Sequence, residues 1–393
     1  MINALDEMQQ RDRGKTLRRA GRGPLVQGPA TMLNGILPER RVHRMKFSYA
    51  VGPIDRKRLR GLIVGDVKPE RGDVVVARVD QIRHHKRLEL RTGRKALLYP
   101  GDEVVVSYAD RYAPDAFEAE IPDDLSPCHL VAAGGIASRV LSRHDTFSEP
   151  TCITPVGLLA AENGDRLNVA HWALGSPKPV AERPLSLAMI GSSMNAGKTT
   201  SAANLVKGLV SMGHLVGAAK VTGTGAGGDV WVLSDAGAQP VLDFTSLGLS
   251  STYHAGAAAV ERVFTQLHGH LAAAGVDAMV LEVADGIYQC ETAALLRSRT
   301  FAERIDGVIF AVSDALGAAA AVDHARGLDL PLVAISGRVS ASPLSAREAA
   351  QATGLPVLDV VGLRDPGELR PLLKRRHRPL AEISPEPAVA TGS

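Results

Sequence analysis

One stretch constrains the fold of this 393-residue chain more than any other: Ala188-Met-Ile-Gly191-Ser-Ser-Met-Asn-Ala-Gly197-Lys198-Thr199-Thr200. An apolar run closes on a glycine, passes through small residues and reaches Gly-Lys-Thr-Thr where helical spacing begins. Leu185, Ala188, Met189 and Ile190 predict a buried strand, and Ala202, Leu205, Val206, Leu209 and Val210 recur on one helical face. A strand that turns into a helix through such a loop aims successive main-chain N–H groups, and the positive end of a helix dipole, at one point. The pattern predicts a phosphate-binding loop that takes a nucleoside triphosphate with Mg2+. Its expected nucleotide-binding residues are Gly191, Ser193, Asn195, Ala196, Gly197, Lys198, Thr199 and Thr200. Gly197 lets the main chain approach closely, Lys198 would reach the outer phosphates, and the Thr199 hydroxyl would hold the metal. The first glycine stands one residue earlier than in the commonest spacing, which would place it at Ser192.

The rest of the sequence alternates in the way this loop demands. From residue 183 to 377 buried-strand patterns (Leu215 to Val221, Ala278 to Glu282, Gly307 to Val312, Leu332 to Ile335, Val357 to Val360) are separated by helical ones. Among the helical patterns are a face formed by Val260, Val263, Phe264, Leu267 and Leu271 and a segment from Ala315 to Ala325. The expected fold class is therefore α/β, a mostly parallel P-loop sheet with helices on both faces. Residues 31–172 read differently. Asp73 to Val79, Leu88 to Arg91 and Glu103 to Tyr108 are short β-rich runs bounded by Gly72, Gly93 and Gly101-Asp102, followed by a mixed αβ piece from Cys128 to Leu141. They predict a smaller β-rich domain, barrel- or sandwich-like. Leu174 to Val180 reads as a proline-stiffened linker.

Residues 1–30, with Arg11, Arg13, Lys15, Arg18, Arg19 and Arg22 among glycine and polar residues, read as a disordered basic tail, and 382–393 as a second disordered tail. Three scattered cysteines, no apolar run long enough for a bilayer and no apolar signal core point to a cytoplasmic protein without disulfides or membrane contact. A net charge of +3 gives no general affinity for nucleic acid. His84-His85-Lys86-Arg87 reads as solvated charge without interleaved aromatics, so no nucleic-acid partner is expected.

Further site candidates lie where strands end. In open parallel sheets ligands bind beyond the carboxyl ends of the strands. Glu282 ends one strand and Asp285-Gly286 follow; with Thr199 these two acids are the expected Mg2+ ligands. Lys220 ends the second strand ahead of Thr222-Gly-Thr-Gly-Ala-Gly-Gly-Asp229, a run that resembles a loop closing on substrate. Lys198, Lys220 and Asp229 are the expected catalytic residues, with Asp235 as an alternative to Asp229. Tyr253-His254 and Tyr288 to Thr292 add side chains able to face a substrate, and Cys290 reads as a small filler residue. Asp110-Arg-Tyr-Ala-Pro114 and Ala132-Ala-Gly-Gly135 read as shaped loops, with a structural role as open as a functional one.

On these residues the C-terminal half resembles the P-loop class of dethiobiotin synthetases, cobyrinic acid amide synthetases and Min- and Par-type ATPases. Gly191 to Thr199 has the five-residue spacing of the dethiobiotin synthetase loop, Ala219-Lys220-Val-Thr-Gly223 is similar to its substrate-facing lysine segment, and Glu282-Val-Ala-Asp285-Gly286 corresponds to its metal-binding turn, without keeping the Glu-Gly-Ala-Gly sequence. Ser192, Ser193 and Met194 stand where Min and Par proteins carry a second lysine. No Asn-Lys-x-Asp guanine signature follows a strand, so ATP is expected over GTP. The resemblance implies an ATP- and Mg-dependent enzyme that phosphorylates a small carboxylate or carbamate for ligation or amidation. An ATP-driven switch acting on a protein partner and a small-molecule kinase are the alternatives. The expected partner is a small-molecule substrate, and a homodimer stays open.

Overall fold

The run Val74-Val-Val-Ala-Arg-Val79 carries apolar residues on both of its faces, and a strand of that kind needs cover on both sides. In the computed structural model, which describes residues 31–33, 37–52, 54–56, 59, 61–161 and 163–373, it receives that cover. The N-terminal region is a nine-stranded sheet. It is built from β1 (Thr31–Leu33), β2 (Lys46–Phe47), β3 (Gly61–Val64), β4 (Val74–Gln81), β7 (Glu103–Tyr108), β8 (Phe117–Glu120), β9 (Cys128–Ala132), β10 (Ile136–Arg143) and β11 (Thr151–Ala160). A separate hairpin pairs β5 (Arg87–Glu89) with β6 (Lys95–Leu97). Val74 and Val76 pack into one apolar cluster with Val105, and Val75, Ala77 and Val79 into another with Val104 and Val106. Pairing is mostly antiparallel, while β7 meets β2 and β10 in parallel. The mixed αβ expectation for Cys128 to Leu141 is corrected: the segment is two antiparallel strands joined by the tight turn at Gly134-Gly135.

The second sheet is parallel throughout, in the order β14 (Val241–Asp243), β13 (Val216–Lys220), β15 (Ala278–Glu282), β12 (Leu185–Gly191), β16 (Gly307–Ala311), β17 (Leu332–Ser336). Its alternation sets the two layers. Leu187, Met189 and Val280 pack with Leu205, Val206 and Leu209 of α1 (Lys198–Ser211). Ala188, Ile190, Met279 and Leu281 pack with Val260, Phe264 and Leu267 of α2 (Ala257–Ala273). One expectation changes and one strand is added. Val357 to Val360 is no strand; only Val357 bridges to Ile335. The three-residue β14, too short for a periodicity to register, extends the sheet on the other side. The basic tail, the C-terminal tail and residues 374–377 lie outside the described residues.

The regions are joined over the carboxyl edge of the parallel sheet. The segment from Leu174 runs along the α/β layer, with the Leu174 amide donating to Ser246 O at 2.8 Å and His270 Nε2 to Gly175 O at 2.9 Å. Residues beside and within the two loops, and others of the β-rich region, make further contacts. Asp115 accepts from the Asn195 side chain. Gly134 lies so close to Gly225 that a Cβ built on it would stand 1.8 Å from the Gly225 carbonyl oxygen. Glu89 Oε2 accepts from Gly227 N at 3.2 Å, and Tyr49 donates to Asp243 at 2.8 Å. The glycine-rich segment between Lys220 and Asp229, expected as a loop that closes on substrate, is therefore held between the two regions. Among the described residues, no helix is long and apolar enough to cross a membrane.

Candidate functional site

Parallel register places the site. Across four neighbouring strands Met189, Glu282, Lys220 and Asp243 fall in one row. Acid, base and acid thus stand side by side at the carboxyl ends of β15, β13 and β14. In the adjoining loop Gly197 takes φ 100°, a left-handed conformation open to glycine at little cost, and α1 begins at Lys198. Ser192 N is tied to Ala311 O and Ala196 N to Met194 O, which pins the two ends of the loop. The main-chain amides of Ser193, Met194, Asn195, Gly197, Lys198, Thr199 and Thr200 find no acceptor among the described residues. Loop and helix start thus carry free donors in succession, as a polyanion site needs. Gly191 is required here, because a Cβ would stand 2.8 Å from Lys198 Cγ.

The charged side chains form one connected cluster. Buried Lys198 donates to Ser193 O at 2.7 Å and Asp285 O at 2.5 Å. The Thr199 hydroxyl lies 2.8 Å from Glu282 Oε1 and 3.2 Å from Asp229 Oδ1, and its single proton serves one acceptor at a time. Asp229 in turn pairs with Lys220. Glu282 is buried, yet among the described residues its Oε2 has no partner. Such an atom costs roughly 1–3 kcal/mol or more unless something binds it. Burial pushes the Lys198 ammonium below its ordinary value despite Glu282 and Asp285. Burial, reinforced by the charge of Asp229, raises Glu282. At Asp229 burial is outweighed by Lys220 and the carboxyl titrates low; at Lys220 burial is outweighed by Asp229 and Glu282 and the ammonium titrates high. This group is a positive and negative lattice around one hydroxyl, suited to polyphosphate and a hard cation. No group of three or more His, Cys, Asp or Glu able to hold a metal on its own occurs among the described residues. A cation here would therefore complete its shell with oxygens that the protein does not supply, as Mg2+ does with phosphate and water.

Other expected residues fall elsewhere. The Asp285 carboxyl makes no hydrogen bond among the described residues and stays out of the Thr199–Glu282 cluster; burial raises its pKa. Asp285 lines a cavity of about 330 Å³ with Ser193 and Asn195 on one side and Tyr112, Asp115 and His144 on the other. Asp235 is exposed and joins nothing here. His254 stacks on Tyr253 at 3.8 Å and approaches Asp110 at 3.5 Å. Cys290 is exposed, not the packed filler expected of it. Three residues escaped the sequence reading. Asp243 is buried on a three-residue strand. Glu89 and Arg111 sit in the β-rich region, far from the loop in sequence.

Strand, loop and helix in this order, under a parallel sheet with both faces covered, define a P-loop fold of the α/β class. No protein-family model and no curated protein matches the chain. Among solved structures, it is similar to the signal recognition particle receptor FtsY from Elizabethkingia anophelis in complex with GDP, at 14% identity and a TM-score of 0.33 over 48% of this chain; the match spans 60% of that protein. It is also similar to a nucleotide-binding protein from Archaeoglobus fulgidus in complex with ADP (14% identity, TM-score 0.32, 47% of this chain and 87% of that one). A third is a ParA family ATPase from Chlorobium tepidum (14%, 0.29, 45% and 83%).

Proposed function

We propose that the protein binds Mg·ATP at the Gly191–Thr200 loop and transfers the γ-phosphoryl group to a small molecule, a carboxylate or carbamate activated for capture by an amine. The observation that carries this reading is the set of amides without an acceptor among the described residues, Ser193 to Asn195 and Gly197 to Thr200, around Lys198. Thr199, Glu282 and Asp229 would hold Mg2+, and the orphaned Glu282 Oε2 supports the fit. When bound, the metal would neutralise charge on the phosphates. Lys198 and Lys220 would stabilise the charge spreading over the transferring oxygens. In the transfer an acceptor oxygen bonds to the γ-phosphorus as the bond to the β-phosphate bridging oxygen breaks, releasing ADP; amine attack on the resulting acyl phosphate then expels inorganic phosphate. The cavity beside the loop, walled by both regions, supports an acceptor bound between them. ATP is preferred over GTP for want of an Asn-Lys-x-Asp segment.

A switch reading is favoured by one observation: Glu89 and Gly134 of the β-rich region grip the segment that carries Asp229, so a change at the phosphate site would reach that region directly. A small-molecule kinase would stop at the phosphorylated product. Measuring ADP release with metabolite acids, with and without amines, separates the three. Turnover that depends on an acid and an amine supports ligation. Stoichiometric phosphorylated product without amide supports the kinase, and turnover raised only by a macromolecule supports the switch.

A further inference from the structure

We propose that the cavity between the β-rich region and the phosphate loop is the subsite for the capturing amine, and takes it as a small ammonium ion held by the Asp285 carboxylate among the rings of Tyr112 and Tyr288. This rests on the reading of the loop as a phosphoryl-donor site and names the chemistry of the group that captures its product.

All three residues line the cavity. The Asp285 side chain is partly buried; both of its oxygens keep accessible surface, and neither makes a hydrogen bond among the described residues. A partly desolvated carboxylate in that state gains most from a donor that also brings positive charge. Lys198 Nζ donates to Asp285 O at 2.5 Å, so this residue abuts the lysine of the phosphate loop. The Tyr112 hydroxyl is also accessible and unbonded among the described residues, and the charge of Asp285 joins burial in raising its pKa. Tyr288 is 81% exposed, which leaves its ring uncovered. Aromatic faces attract an ammonium ion. The remaining charge points the same way. No lysine or arginine lines the cavity, and the cations whose fields reach Asp285, Lys220, Lys198 and Arg111, stand outside the lining. Asp115 does line it, with Oδ2 accepting from Asn195 and Oδ1 sealed, so it adds negative potential without a free contact. The wall from Ser192 to Asn195 belongs to the phosphate loop, and sets the amine beside the phosphorylated acceptor. On attack the ammonium passes one proton to Asp285, which burial makes a stronger base than an exposed aspartate. The freed nitrogen pair bonds to the acyl carbon, the bond from that carbon to the phosphate oxygen breaks with its electrons, and the leaving phosphate takes the second N–H proton.

The test uses the full chain loaded with magnesium and a non-hydrolysable ATP analogue, and reads probe binding by calorimetry and saturation-transfer NMR. The probes are propylammonium and ethanolammonium, beside their uncharged counterparts propanol and ethylene glycol, and propionate. The two ammonium ions should bind saturably and the other three should not. Asp285→Asn keeps the carbonyl that Lys198 uses and removes one charge-assisted contact, so the propylammonium Kd should rise about 10- to 100-fold. Should Asp285→Asn not fold, the Tyr112 variants read the same cavity: Tyr112→Leu should raise that Kd about 2- to 5-fold, and Tyr112→Phe, which keeps the ring, by less. Propanol or propionate binding as well as propylammonium, ammonium binding unmoved by the Asp285 and Tyr112 variants, or a loss in Asp285→Asn that falls on the nucleotide instead would each overturn the proposal. A wild type that binds neither Mg·ATP nor its analogue defeats the functional reading; one that binds them and ignores both ammonium ions defeats this inference alone.

Discussion

Gly134→Ala tests whether the two regions meet as described. Gly134 occupies the tight turn between β9 and β10, and its missing Cβ would stand 1.8 Å from Gly225 O, where ordinary contact begins at 3.4 Å. One backbone must therefore retreat by about 1.6 Å, well past the separation at which dispersion contacts are lost. Neither is free to do so. Gly134 O accepts from Ala50 N at 2.8 Å, and Gly225 N donates to Ser250 O at 2.8 Å. Overpacking typically costs 1–3 kcal/mol where side chains can yield. Here the obstruction is main chain, so a loss of about 3 kcal/mol is expected. The damage should also reach the phosphate site, because Gly225 lies four residues before Asp229 and the Lys220–Asp229 pair depends on that segment. Urea unfolding and Mg·ATP titration read the two effects. Gly175→Ala, where a Cβ meets nothing within 4 Å, is the control and should change stability by less than about 0.5 kcal/mol. A Gly134→Ala variant as stable as that control, with unchanged nucleotide affinity, would refute the reasoning.

Two further outcomes follow from the buried groups. His268 is buried with its Nε2 3.0 Å from Ser186 Oγ, and burial lowers its pKa to about 3. The unfolded chain, titrating near the ordinary 6.5, then binds the extra proton, so stability falls as pH drops from 6.5 toward 3, by up to about 1.4 kcal/mol per pH unit. His268→Phe should flatten this slope by close to one proton in urea titrations across that range, and an unchanged slope would remove His268 from the account. In Glu282→Gln the orphaned carboxylate oxygen is lost; the Mg2+ concentration for half-maximal ADP release should rise about 10- to 100-fold, and an unchanged metal dependence would take Glu282 out of the site.

The parallel sheet was legible in the sequence because its central strands are buried on both faces and read as continuous apolar runs, as Ala278 to Glu282 does. The loop was legible because its glycines, lysine and threonines obey a local geometric rule. Two kinds of feature were not legible. Short edge elements such as Val241–Asp243 carry too few residues for any period to emerge, so Asp243 went unseen although its register with Lys220 is fixed. Long-range docking has no local signature at all. Nothing in Asp110 to Pro114 or in Ala132 to Gly135 says that the residue after the first loop touches Asn195 and that the second loop meets Gly225. Asp285 illustrates the same limit. It lines a cavity whose far wall comes from another part of the sequence, which no local pattern around Glu282 could announce.

The central claim is that the free amides after Gly191 and the Lys198 ammonium grip a polyphosphate. Isothermal titration of the full chain with Mg·ATP, beside Lys198→Ala, tests it most directly. The account predicts saturable binding to the wild type and at least a tenfold loss, about 1.4 kcal/mol, in the variant. No binding heat with either Mg·ATP or Mg·GTP, or equal affinity in the two proteins, would contradict it.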